Sequence, residues 1–537
     1  MKKILLCSIA ILSSVSLFAQ VSFTNRSDLI ENYPGYQSIA VDMNDDGFDD
    51  FVRVSESGIG IDYQQANGTF VSTFYSMTIQ NVPDWSVAAG DIDGNGYTDL
   101  VLGNGSRVSF LFANADGTAY TEQTHPEYIF SQRSNLVDID NDGDLDAFVC
   151  HDIDESHPYR NDGNQNMVMD QTLIQTLDLA GNYASLWVDY DNDGDTDMYL
   201  TKCRQGSTPG DPERTNAMYR NNGDGTYSEV AASINLADNA QSWTTIWQDF
   251  DNDGDFDAFC VNHDEENRFY ENDGSGVFTD IIGSTGINPT DLGAWENQGA
   301  DFNNDGFVDI FSEMSKELYI NNGDMTFTGM DLPFDEGAIG DFNNDGYLDV
   351  SKGGFLWMND GGSNRYIKIV LKGVQSNPNG IGARIVITGD FGTQMREVRS
   401  GTGFSHMSSL IAHFGLGTSE GIDTIEIFWP SGIVDIIENP TISTQHVFVE
   451  GENQLAITEF EVNGISLFPN PTTSKINFSL NGIEGTLVKV IDINGRTVLN
   501  TAISTDNNIN VETLTSGIYF VQMEVENKSV SYKFVKK

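Results

Sequence analysis

Along the first two thirds of the chain, apolar positions come in short runs rather than at helical spacing. "SVAA" precedes and "LVLG" follows one acidic, Gly-centred stretch; "SLWV" and "MYLT" flank another. Runs this short, closed on both sides by Asp, Asn and Gly, predict β-strands. A second pattern falls between the acidic stretches: an aromatic residue, an Asn-Gly turn and another aromatic. It reads "YRNNGDGTY" at 219–227, "YENDGSGVF" at 270–278, "YINNGDMTF" at 319–327, "FANADGTAY" at 112–120 and, shortened, "YRNDG" at 159–163. "YQQANGTF" (63–70) and "WMNDGG" (357–362) are weaker versions. Such a pattern predicts a β-hairpin.

The acidic stretches obey D-x-[DN]-x-[DN]-G-x-x-D and occur seven times, at intervals of 40–60 residues. Positions 1, 3, 5 and 9 always carry an oxygen-bearing side chain. They are Asp42, Asn44, Asp46 and Asp50; Asp91, Asp93, Asn95 and Asp99; Asp138, Asp140, Asp142 and Asp146; and Asp189, Asp191, Asp193 and Asp197. The last three sets are Asp249, Asp251, Asp253 and Asp257; Asp301, Asn303, Asp305 and Asp309; and Asp341, Asn343, Asp345 and Asp349. Carboxylates this close repel unless a cation lies between them. Hard oxygen donors around a Gly turn suit Ca²⁺, whereas Mg²⁺ demands rigid octahedral geometry. About seven Ca²⁺ sites are expected, with position 7 contributing its backbone carbonyl. An EF-hand is excluded, because its Glu at position 12 is replaced by Arg53, Leu102, Val149, Leu200, Cys260, Ser312 and Lys352. Each site is thus a strand–loop–strand hairpin, and each period holds about four short strands, one propeller blade.

The acidic loop followed by "Y-x-N-x-G-D-G-T-F" resembles the FG-GAP/VCBS repeats of the integrin α-subunit head. The resemblance covers residues 20–362 and implies an all-β fold, a seven-bladed calcium-binding β-propeller followed by two small β-domains. The seventh repeat stops without its last strand, and "VSFTNRSDLI" near the N-terminus resembles that strand elsewhere. Residues 21–25 are therefore expected to complete blade seven.

Composition narrows the setting. The formal charge of −53, from 80 acidic and 27 basic residues, excludes nucleic acid as the main partner. Disorder does not follow, since 39% of residues are hydrophobic and 11% aromatic. "MKKILLCSIAILSSVSLFAQ" reads as a signal peptide ending at Ala19, and no later segment spans a bilayer, so an integral membrane protein is not expected. Beyond it, Cys150, Cys203 and Cys260 are too few and odd in number for a disulfide framework and read as buried strand-end residues.

After residue 362 the acidic loops cease. "NPNGIGARIVI" (377–387), "VRSGTGFSHMSS", "AHFGLG" (412–417) and "IFWPSGIVD" (427–435) alternate apolar strands with Gly and Pro turns. They resemble the ASPIC/UnbV domain of the cartilage acidic protein family, through Gly380, Gly382, Ala383, Arg384, His413, Phe414, Gly415, Leu416, Gly417, Trp429, Pro430, Ser431 and Gly432. His413 reads as a hydrogen-bonded structural histidine. Finally "FPNPTT", "DINGR", "LTSGIYFV" and "KFVKK" resemble the type IX secretion sorting domain. That implies export across the outer membrane, to the cell surface or beyond, with the type IX machinery as a partner. The expected division is a signal peptide (1–19), propeller (20–362), ASPIC/UnbV-like domain (363–450), linker (451–459) and sorting β-sandwich (460–537).

Two functions follow. One is a calcium-bearing adhesion or binding protein for an extracellular glycan or protein, with loops on a rigid ring carrying recognition; "KCRQGSTPGDPERTN" (202–216) is the longest insert and a candidate recognition loop, or a solvated spacer. The alternative is a secreted carbohydrate-active enzyme such as a polysaccharide lyase. It would need a base and a carboxylate-neutralising group, with His151, His157, His263, Arg160, Arg204 and Arg268 as candidates. No Ser-His-Asp order, HExxH, P-loop or Rossmann fingerprint is present, and no catalytic residue is assigned.

Overall fold

The computed structural model describes residues 21–163, 165–175, 179–292, 294–313, 316–453, 466–468, 472–479, 487–492, 496–504, 507–515, 517–525 and 528–537. The predicted signal peptide and most of the predicted linker lie outside them. The chain forms two compact units, 1–454 and 455–537.

In the first unit, seven four-stranded antiparallel sheets follow one another. Six span residues 39–76, 86–124, 131–169, 182–229, 242–280 and 297–331. The seventh combines Ala338–Gly340, Asp349–Lys352 and Phe355–Asn359 with Phe23–Asn25 from the N-terminus. Phe23 pairs with Asn359 and Asn25 with Trp357, so the expected closing strand is present. Every acidic stretch links the first and second strands of its sheet.

Apolar clusters lie between consecutive blades rather than within them. Phe148 and Trp187 join blades three and four, Tyr199 and Phe256 four and five, Phe259 and Tyr319 five and six. Phe311 and Val350 join blades six and seven, Phe51 and Phe342 seven and one, Val54 and Leu100 one and two. Each sheet thereby buries both faces, and the ring closes on itself, a β-propeller. Deleting residues 20–30 exposes the edge of Phe355–Asn359 and uncovers Phe302 and Phe334, on which Phe23 rests edge-on. The melting temperature should fall by on the order of 10 °C; an unchanged scan would contradict this closure.

Residues 365–449 form two further sheets in the same unit. Arg365–Lys372 lies between Ala412–Gly417, antiparallel, and Gln445–Val449, parallel. Gly392–Glu397, Arg384–Gly389, Thr424–Phe428 and Val434–Glu438 make the other. Their core, including Ile369, Ile385 and Trp429, is continuous with that between blades two and three, including Phe110 and Tyr159. The second unit has a three-stranded and a four-stranded sheet around Ile476, Val490, Val521 and Phe534.

Candidate metal centres and the face opposite them

All seven acidic loops share one hydrogen-bond scheme. The position-1 Asp accepts the backbone N–H of position 5 on one carboxylate oxygen, at 3.0–3.2 Å. Its other oxygen accepts the N–H of the position-6 Gly at 2.6–3.2 Å. That glycine has φ between +84° and +101° in every loop, which a side chain would strain. Position 9 clamps two strands: one oxygen accepts the N–H of position 2. The other accepts an N–H at the end of the third strand, such as Asn161, Asn272 or Asn359.

The sequence pattern left position 4 unassigned. It holds Asp45, Gly94, Asn141, Asn192, Asn252, Asn304 and Asn344, every one in the left-handed region with φ of 56–68°. Only Gly, Asn and Asp visit that region readily, a restriction visible in the sequence. Three of these asparagines also tie neighbouring loops. Asn192 donates to the Gly254 carbonyl, Asn252 to Gly306 and Asn304 to Gly346, at 2.9–3.2 Å. The Asn of the second motif reaches back one blade: Asn161 to Ile92, Asn321 to Phe250 and Asn359 to Phe302.

Burial makes these carboxylates electrostatically demanding. The position-9 aspartates are all buried. Burial pushes Asp146 up to about 8, Asp197 and Asp257 to about 9, and Asp50, Asp99, Asp309 and Asp349 well above the usual carboxylate range. At position 1, burial lifts Asp42, Asp91 and Asp138 to about 6, and Asp189, Asp249 and Asp301 to about 7. In four loops three carboxylates converge, each offering an oxygen within 4.8 Å of the others: Asp91–Asp93–Asp99, Asp138–Asp140–Asp146, Asp189–Asp191–Asp197 and Asp249–Asp251–Asp253. The other three loops have Asn at position 3, which donates to the position-5 Asp. Asn44 Oδ1 and Asp191 Oδ1 are buried with no partner among the described residues. Such all-oxygen sets fit a hard cation.

The sign of the pH dependence follows. A carboxyl whose folded pKa exceeds its unfolded value, about 4, stabilises the fold in acid and loses that contribution as pH rises through the folded value. Metal-free protein should therefore become less stable from pH 5 to pH 9. A bound cation reverses the trend, because protons compete with it as pH falls below about 7. Melting curves across pH, with and without chelator, check the crossover; parallel curves would refute it.

The domain spanning 365–449 is seated on these loops. Lys368 Nζ lies 2.7 Å from Asp341 Oδ2 and 2.6 Å from Asn344 Oδ1, both ions of the pair being buried. Lys372 pairs with Asp45 at 2.9 Å, and Arg384 with Asp189 at 3.4 Å and with Asn192. Asn379 accepts the Asp91 N–H, Gln445 donates to the Gly47 carbonyl, and Gly417 N–H donates to Asn304. His413 Nε2 donates to the Gly346 carbonyl at 3.0 Å, and burial lowers its pKa to about 4. It is the structural histidine the sequence suggested.

From this domain residues 399–409 run down the channel of the ring. Ser400 contacts Ala89 and Asn135; Arg133, fully buried, donates to the carbonyls of Thr402 and Gly403. Arg399 donates to Trp247, and Glu296 accepts the N–H groups of Phe404 and Ser405. Met407 exchanges backbone hydrogen bonds with Ser38 and Ala40, and Ser409 N–H donates to Ile339. At the channel's far mouth, opposite the acidic loops, Phe404 and Ser405 join Tyr36, Trp85, Tyr183, Trp243 and Trp295 around a cavity of about 340 Å³.

The lyase candidates lie on blades three, four and five. His151 and His157 face each other at 5.7 Å, both buried, and burial lowers both pKa values, His151 to about 4. His263 packs on Trp243 in another blade. Arg160 is bound to Asp140 and Asp170, Arg268 to Asp238 and Asp280, and Arg204 to Asp152. In the 202–216 insert, Arg214 is buried and pairs with Asp264. Cys150, Cys203 and Cys260 are buried free thiols.

Known families match in three places. FG-GAP-like repeats match residues 42–102, 91–149, 189–260 and 249–312. The seventh loop, 341–349, lies outside those matches but shares their hydrogen bonds. A domain described as ASPIC and UnbV matches 373–455, and a secretion system C-terminal sorting domain matches 466–537. Human cartilage acidic protein 1 is 27% identical over 250 residues, 40% of this chain and 37% of that protein; the mouse protein is 26% identical over 250 residues, 40% and 38%. The chain thus spans well under half the length of these relatives. Among solved structures, an Agrocybe aegerita lectin recognising non-reducing terminal N-acetylglucosamine aligns with 55% of this chain and 80% of its own, at 15% identity and TM-score 0.38. A rhamnogalacturonan lyase from Bacillus licheniformis aligns with 78% and 92%, at 9% identity and TM-score 0.31. At these scores neither likeness bears on function. The chain carries, in order, FG-GAP-like repeats, an ASPIC/UnbV domain and a type IX secretion C-terminal sorting domain.

Proposed function

We propose that the protein is an exported, calcium-bearing propeller that binds an extracellular glycan or protein ligand without catalysis. The observation carrying calcium is the sevenfold clamp of buried carboxylates. Its position-1 and position-9 oxygens already hold the backbone, and their charge calls for a cation at each turn. Asp, Asn and a position-7 carbonyl supply the hard donors, and Ca²⁺ tolerates the variation between loops. The sorting domain supports export through the type IX machinery, to the surface or beyond. Among the described residues no helix is long and apolar enough to cross a membrane.

Binding rather than turnover is supported by the burial of His151 and His157 and by arginines already paired with carboxylates. The test incubates the mature protein with an array of glycans and matrix proteins, with calcium and with chelator. In parallel, acidic polysaccharides are monitored for absorbance from unsaturated ends. Calcium-dependent retention without product is expected; accumulating unsaturated product would establish the lyase instead.

A further inference from the structure

The mouth opposite the acidic loops is built by a register that the repeats share. Six residues before the first Asp of loops one to six stand Tyr36, Trp85, Gln132, Tyr183, Trp243 and Trp295, and before loop seven Asp335. Five of seven equivalent positions are aromatic. Gln132 and Asp335 occupy the same station, so packing of the ring does not itself require an aromatic there. The first six all line the one cavity.

Three of them, with Phe404, form a near-parallel run. Trp295 and Trp243 lie 5.4 Å apart with planes 16° from parallel; Tyr183 follows at 6.0 Å and 21°, and Phe404 at 6.1 Å and 21°. Trp295 is 40% exposed and Tyr36 49%, so large aromatic side chains reach solvent at the cavity rim. Monomeric proteins keep such faces where something binds. The cavity's size is at the lower end of small-molecule sites, about 300–1,000 Å³, too small for a protein face and sized for one or two rings.

Charge and shape select the ligand class. Among the described residues no cation lines the cavity and Asp84 is the one charged lining residue, which disfavours an anion. A quaternary ammonium prefers ring faces converging from several directions, whereas Trp295, Trp243, Tyr183 and Phe404 are nearly parallel, with Trp85 and Phe130 set edge to face. A pyranose presents a flat C–H face, slightly positive, to the negative face of an aromatic ring. The exposed carboxylate of Asp84, with the hydroxyl of Ser405 lining the same cavity, supplies polar partners for hydroxyls at its edge. We infer that this mouth is a binding site for an uncharged glycan, completed by Phe404 and Ser405 of the threaded C-terminal segment. The inference rests on the ligand-binding role proposed above and fixes its place and chemistry.

The test uses the mature full chain with saturating calcium and follows tryptophan emission. Probes are neutral chito-, cello-, xylo- and manno-oligosaccharides, with oligogalacturonate and tetramethylammonium chloride beside them. At least one neutral oligosaccharide should bind. Trp295→Ala should weaken it at least tenfold, Trp295→Phe should retain most of the affinity, and both variants should melt with the parent. Binding of a neutral glycan that ignores Trp295→Ala would overturn the site while leaving the ligand-binding role intact. Trp295-dependent binding of oligogalacturonate or tetramethylammonium alone would overturn the ligand class. Failure of every neutral oligosaccharide would overturn the inference, and the protein arm of the array above then decides whether the wider role survives.

Discussion

Chelation of the mature protein lowers its melting temperature by on the order of 20 °C, and readdition of Ca²⁺ restores it. The size follows from how many sites act together. A ligand present at 100 times its dissociation constant stabilises the folded state by about 2.7 kcal/mol per site. Even the four loops with three converging carboxylates thus account for roughly 10 kcal/mol, and a chain of this size shifts by about 2 °C per kcal/mol. Removal of the ion also leaves mutually repelling aspartates such as buried Asp189 and Asp197 and half-buried Asp191, whose relief is protonation. Mg²⁺ should restore less, because these loops differ in carboxylate number and do not impose octahedral geometry. Differential scanning calorimetry reads the shift, and an unchanged transition in chelator would remove calcium from the stability of the ring.

Gly401→Val costs about 3 kcal/mol or more and unseats the threaded segment. Gly401 has φ +78°, and a Cβ there would lie 2.2 Å from the Ser134 carbonyl oxygen and 2.9 Å from the Asn135 amide. Two backbones meet inside the channel, so neither can retreat without losing the bonds of Arg133 and Asn135 to residues 400–403. An overpacked core position costs 1–3 kcal/mol by itself, and the left-handed backbone adds strain. The variant should melt at least about 6 °C lower and be cut by protease between residues 399 and 409, where the parent resists. Parental stability together with parental protease resistance would mean that the segment does not thread the ring.

The ring was legible because its signal repeats. One acidic loop is an ordinary turn, whereas seven in one register expose both the strand pairs and the oxygen donors. Closure by residues 23–25 could be read for the same reason, as a missing strand at one end and a spare one at the other. The seat of the domain spanning 365–449 could not. Lys368, Arg384 and Asn379 are single residues on different strands and turns, and their partners Asp341, Asp189 and Asp91 lie 27, 195 and 288 positions away. Nothing in local patterning encodes such pairs. The threading of 399–409 was hidden likewise, because "SGTGFSHMSS" reads as an ordinary Gly-Ser loop until Arg133 and Glu296 are seen to need partners. Two features of the sequence become visible only with the structure: the Asn/Asp/Gly restriction at position 4, and the aromatics six residues before five of the seven loops. Both need the repeats to be aligned outside the motif itself.

All of this depends on cations in the acidic turns. The direct measurement is titration calorimetry of Ca²⁺ into chelator-stripped, dialysed protein, with the stoichiometry checked by equilibrium dialysis. About seven ions per chain, with the loops richest in carboxylate filling first, is the predicted result. A chain that takes up no Ca²⁺ at neutral pH, while still folded, would contradict it.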